Sequence, residues 1–77
     1  MTATTLQVVH TGRSPDESAD RLEIRGCGWE AVVYVTDGLW PGVNLRRFVH
    51  ASGQEIPLAR ERGQIRRAAL KWAKANR

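Results

Sequence analysis

A chain of 77 residues with 42% hydrophobic and 26% charged side chains makes one small domain and excludes wholesale disorder. No apolar run approaches the roughly 18–20 residues needed to span a bilayer, and the lone Cys27 excludes the disulfide-stapled secreted class. The net charge of +4 is unevenly spread, with three Arg/Lys against six Asp/Glu in residues 1–45 and nine against two in residues 46–77.

The N-terminus, Met1 to His10, lacks the basic start and long apolar core of a signal peptide. With a single unpaired cysteine, this points to a reducing, cytosolic setting in a bacterium or a mobile element of one. Leu6 to His10 is a short β-prone segment, with Leu6 and Val8 on one face. Thr11 to Ala19 follows as a polar loop rich in turn formers, Gly12, Ser14, Pro15 and Asp16. Arg21 to Arg25 alternates strictly, so Leu22 and Ile24 point inward and three charges outward, as in a half-buried strand. Gly26-Cys27-Gly28 is a bend, a bulge or a tight turn, with Cys27 a small buried thiol.

Trp29 to Thr36 is the strongest strand pattern. Trp29, Ala31, Val33 and Val35 share one face, Glu30, Val32, Tyr34 and Thr36 the other, and two largely apolar faces suit a central strand. Asp37-Gly38 ends it, and Leu39-Trp40-Pro41-Gly42 lengthens the connection beyond a minimal hairpin. Val43 to His50 alternates again, which sends Arg46 and Arg47 to opposite faces. Ala51 to Gln54 is a turn, and Glu55-Ile56 is either a short edge strand or the helix entry.

Pro57 suits the first turn of a helix, where its missing N–H costs nothing. Gly63 weakens the interior by roughly 1 kcal/mol relative to Ala, which sets a separate first turn apart from a firm helix beginning at Gln64. Leu58, Ile65, Ala68, Ala69 and Trp72 form one apolar stripe. Arg66, Arg67, Lys71, Lys74 and Arg77 fall on the opposite arc together with Leu70. The expected fold is α+β: a three- to four-stranded antiparallel sheet with one C-terminal amphipathic helix packed on one face.

The residues offer no catalytic set. His10, Cys27 and His50 have no zinc-site spacing, and Cys27 has no base implied beside it. Asp16 and Glu17 lie in a polar loop, and Gly26-Cys27-Gly28 precedes a strand where a phosphate loop precedes a helix. No cofactor or metal is expected, and binding is favoured over catalysis for a domain this small.

The C-terminal basic face is the strongest functional signal. Its cations lack acidic neighbours at i±3 or i±4, apart from Glu61 beside Arg62 at the helix start, whereas soluble faces usually mix signs. Such a face seeks an anionic partner. Arg46 or Arg47 extends the patch, Leu70 is an exposed leucine among arginines, and Trp40 is placed to stack on a base or anchor a partner, or else folds back on the core.

The run Gly28-Trp29-Glu30-Ala31-Val32-Val33-Tyr34-Val35, Asp37-Gly38, Arg46-Arg47-Phe48 and the helix segment Ala68 to Ala73 resembles AP2/integrase-type DNA-binding domains. The resemblance covers residues 28–75. It implies a sheet that enters the major groove through strand arginines, with the helix packed behind it. The chain departs from that pattern by an added N-terminal strand pair, the Leu39–Gly42 loop and its heaviest charge on the helix. In size and lack of catalytic residues it is also similar to phage-encoded anti-defence proteins, including anti-CRISPR inhibitors, which imply a host nucleoprotein complex as target.

The function expected is nucleic-acid binding by a small phage or mobile-element accessory protein. Arg66, Arg67, Lys71, Lys74 and Arg77 supply phosphate contacts, and five contacts imply a log–log salt slope of roughly −4 to −5. The alternative is a protein–protein inhibitor of a host defence complex that anchors through Leu70 and Trp40. A membrane-surface helix is disfavoured because Ile65 and Trp72 are needed by the core. A homodimer is open, since a small sheet leaves edges unpaired.

Overall fold

A computed structural model describes residues 6–77; the N-terminal residues 1–5 read above for a leader lie outside it. Four strands, β1 (Gln7–Ser14), β2 (Ala19–Gly26), β3 (Trp29–Thr36) and β4 (Val43–His50), precede one helix, α1 (Ala59–Asn76). The strands form an antiparallel meander in the order β1-β2-β3-β4, and α1 crosses one face. The α+β architecture therefore follows the alternation of the strands and the stripe of the helix.

Strand pairing sorts the side chains into rows. On the helix side lie Val8, Ile24, Ala31 and Phe48, then His10, Leu22, Val33 and Leu45, then Arg13, Asp20, Val35 and Val43. Leu22, Ile24, Trp29, Ala31, Val33, Val35 and Phe48 pack against Ile65, Ala69 and Ala73 of α1 as the buried core. Small residues at 69 and 73 let the helix backbone sit close to the sheet. Trp29 and Phe48 meet at 5.8 Å between ring centroids. Trp72, expected in the core, is half-buried at its margin and lies against His10 at 5.0 Å.

Several boundaries differ from expectation. β1 continues through Thr11 and Gly12 to Ser14 because a register shift between His10 and Gly12 absorbs the extra residue. The polar loop shrinks to residues 15–18, where Glu17 and Ser18 donate backbone hydrogen bonds to the Ser14 and Pro15 carbonyls. β2 gains a residue or two at each end. The Gly26-Cys27-Gly28 segment is a two-residue turn between paired Gly26 and Trp29. Cys27 is exposed at its tip, contrary to the buried thiol expected. Gly28 sits at φ +77°, and a Cβ on Gly26 would collide with the Trp29 indole, so neither position accepts another residue freely.

Glu55 and Ile56 form neither a strand nor a helical turn. Pro57 is buried and stands before the N-cap, so it ends the connection and does not open the helix. Leu58, expected on the apolar stripe, is the N-cap and exposed. Its N–H donates to Glu61 Oε1 at 2.9 Å, which satisfies one open donor of the first turn and accounts for a buried glutamate. Gly63 does not split the element: α1 is continuous over 18 residues, because packing on the sheet outweighs one poor propensity.

Candidate nucleic-acid interface

Helix α1 presents exposed cations along its outer ridge and on its flank beside β4. Arg60, Arg62, Arg66, Arg67, Lys71 and Lys74 are all exposed. Among the described residues none of them lies within ion-pair distance of a carboxylate; the ion pairs are made by His10, Arg13, Arg25, Arg46 and Arg77. Arg67, Lys71 and Lys74, at i, i+4 and i+7, share a ridge, and Arg67 and Lys71 border a groove that also takes in Leu6 and Val8. Arg66 turns toward β4, where with Arg62 it borders a groove floored by Val43, Leu45 and Ile65. Because Ile65, Ala69 and Ala73 are locked onto the core, these charges sit on a rigid rod about 27 Å long.

Arg77 does not belong to this row. Its guanidinium folds back over the end of the sheet and donates to Asp20 Oδ2 at 2.7 Å, the Thr36 carbonyl at 2.8 Å and the Val35 carbonyl at 3.1 Å. Asp37 Oδ1 lies a further 3.3 Å away. Arg13 joins from β1, reaching Asp20 at 3.3 Å and pairing with Asp37. His10 Nε2 stands 3.2 Å from Asp20 Oδ1, the oxygen that Arg13 reaches. Burial pushes the Asp20 carboxyl up, but the hydrogen bonds and charges of Arg77 and Arg13 outweigh it and hold the group below its ordinary value. Asp37 is lowered chiefly by its hydrogen bond from Arg13, which in turn raises the Arg13 guanidinium. The cluster fastens the C-terminus of α1 to the sheet, and Arg77 is structural.

Arg46 and Arg47 also depart from expectation. The β3–β4 register shifts between Val32 and Val33: Val32 pairs with Arg47 and Val33 with Leu45, which leaves Arg46 as an extra, unpaired residue. This bulge re-aims the strand so that both arginines leave the sheet on the side away from α1. They join Arg21, Arg25, Tyr34 and Val49 around a shallow concavity of about 450 Å³. The Arg46 guanidinium lies 4.7 Å above the Tyr34 ring and pairs with Glu17. Neither arginine extends the helix row; they occupy the opposite face.

Leu70 is half-buried, where an exposed leucine was expected. Trp40 does not fold back. It is 92% exposed beside Leu39 at 93%, on a loop closed by the Thr36 N–H, which donates to the Gly42 carbonyl at 3.0 Å, and by the Gly42 N–H, which donates to Thr36 Oγ1 at 2.7 Å. Of the residues singled out from sequence, the fold thus keeps Arg67, Lys71 and Lys74 together on one ridge of α1 and places Arg66 on the flank beside β4. Arg60 and Arg62, not among the residues singled out, add to the charge of the same unbroken helix, Arg62 beside Arg66 in the groove against β4.

Among the described residues no three His, Cys, Asp or Glu side chains cluster as metal ligands, and no helix is long and apolar enough to cross a membrane. The chain matches no family model, no curated protein and no solved structure.

Proposed function

We propose that this protein binds nucleic acid without catalysing a reaction on it, and that the outer flank of α1 makes the phosphate contacts. The observation that carries this reading is the set of six exposed cations on α1 with no carboxylate partner among the described residues, four of them (Arg60, Arg67, Lys71 and Lys74) along its outer ridge. A charged row on a rigid element costs self-repulsion, and a polyanion relieves it while releasing condensed counterions. Phosphate contacts fix position and carry no sequence information, so this surface binds duplexes with little base preference.

The test is fluorescence anisotropy of a labelled duplex at low salt, with wild type and the charge-reversed R67E/K71E/K74E variant. All three positions are exposed, so the variant keeps its fold, checked by circular dichroism. Affinity falls at least roughly tenfold in the variant; equal binding by the two proteins overturns the reading.

A second reading, an inhibitor that docks on a host protein, is favoured by the exposed Leu39–Trp40 pair. Tryptophan is among the residues most often found as an energetic anchor of protein interfaces. A Leu39→Ser, Trp40→Ser double variant separates the two, since it abolishes protein docking and leaves duplex binding by α1 unchanged.

A further inference from the structure

We propose that the protein bridges two nucleic-acid segments, one on the outer flank of α1 and one on the open face of the sheet. This deepens the nucleic-acid reading and rests on it. The bulge in β4 is the starting observation. In a regular strand one of the two consecutive arginines would point toward the helix, whereas the extra residue at Arg46 sends both to the far side.

There they complete a set of four with Arg21 and Arg25 of β2, across Val32 and Tyr34 of β3. Two glutamates, Glu23 and Glu30, share the concavity, and Glu17 reaches Arg46 from outside it, which leaves arginine in excess by one charge. Glu30 lies 3.3 Å from Arg25, and Glu17 pairs with Arg46 from the neighbouring turn. These are pairs between side chains roughly half exposed and weakened by solvent screening, so a phosphate displaces them at little cost. Arg47 has no carboxylate partner among the described residues. The guanidinium fork suits phosphate oxygens, and the Tyr34 ring beneath Arg46 keeps that fork raised from the sheet.

The two cationic faces are back to back. The molecule measures 34 × 26 × 20 Å along its principal axes, one sheet and one helix thick. A stiff duplex lying along α1 cannot curl around the sheet edge to reach Arg46 and Arg47, because bending it through that angle over so short a path is prohibitive. Occupation of one face therefore leaves the other open to a second segment. A single flexible strand is not bound by this limit, so the proposal is made for duplexes.

The experiment immobilises one duplex on beads and measures recovery of a second, fluorescent duplex in the bead fraction, with anisotropy on a single duplex run in parallel. Wild type recovers the second duplex. An R46Q/R47Q variant, and separately Arg47→Glu, lowers that recovery at least roughly tenfold while single-duplex affinity changes less than about threefold. Recovery undiminished in both variants overturns bridging. So does a failure of wild type to recover the second duplex when it binds the first, and in that case the nucleic-acid reading stands. Light scattering of free protein and of a complex with one short duplex closes the remaining route. Recovery that tracks a protein dimer, with R46Q/R47Q as active as wild type, assigns bridging to self-association and overturns the two-face proposal. No binding to either duplex removes this inference and the reading beneath it together.

Discussion

Replacing Asp20 with Asn tests the clasp that holds the end of α1. Asp20 is 7% exposed and takes contacts from three side chains: Arg77 at 2.7 Å, Arg13 at 3.3 Å and His10 at 3.2 Å. A hydrogen bond to a charged group contributes about 1.5–3 kcal/mol. Both arginines keep other acceptors when the carboxylate goes, Arg13 through Asp37 and Arg77 through the Val35 and Thr36 carbonyls. The net loss is therefore close to that of one such bond, about 2–3 kcal/mol. That is a large part of the roughly 4–12 kcal/mol expected for a chain of this size, and it lowers Tm by roughly 8–20 °C.

The same carboxylate gives a pH signature. Asp20 and Asp37 are both held below the ordinary carboxylate value in the folded protein. Their contribution is thus fully present above the unfolded value of about 3.9 and is lost as pH falls through the depressed folded values. Wild type loses stability on acidification below about pH 4, and D20N loses less because one of the clasp's two depressed carboxylates is gone and Asp37 alone remains. Urea unfolding followed by circular dichroism from neutral to acid pH measures both effects. A D20N protein that melts within about 2 °C of wild type at neutral pH refutes the clasp.

Gly26→Ala places a Cβ against the Trp29 indole, and differential scanning calorimetry should show a loss of about 1–3 kcal/mol from the forced shift of a core ring. Cys27→Ser changes an exposed turn tip, so its unfolding free energy stays within about 0.5 kcal/mol of wild type, and a thiol reagent modifies the wild-type protein without unfolding it. Trp40→Ala likewise leaves stability within about 0.5 kcal/mol. It also removes most of the acrylamide-quenchable fluorescence, because Trp29 is buried and Trp72 half-buried.

The strands β2 and β3 and the inner stripe of α1 were legible in the sequence because each obeys a local period. Leu22, Ile24, Ala31, Val33 and Val35 alternate without interruption, and Ile65 and Ala69 recur at helical spacing. Local period failed where pairing with another strand decides the outcome. Nothing in the residues of β1 or β4 marks the extra residue at Thr11 or Arg46; the register of the adjacent strand places it. As a result the charge of Arg46 and Arg47 was legible but its side of the sheet was not. Arg77 illustrates a different limit. Its spacing put it with the helix cations, but a partner 57 residues away in sequence, Asp20, draws it onto the sheet. An exposed Trp40 and a buried one share the same sequence, and only the closure of residues 36–42 separates them.

The salt dependence of duplex affinity tests nucleic-acid binding by α1 most directly. With Arg77 held in its clasp, Arg66, Arg67, Lys71 and Lys74 remain of the five cations first assigned to phosphate, and four contacts predict a slope of about −3.6 in log K against log salt. Engagement of Arg60 and Arg62 as well steepens it toward about −5.4. A slope near zero, or no measurable binding at low salt, contradicts phosphate recognition by the helix.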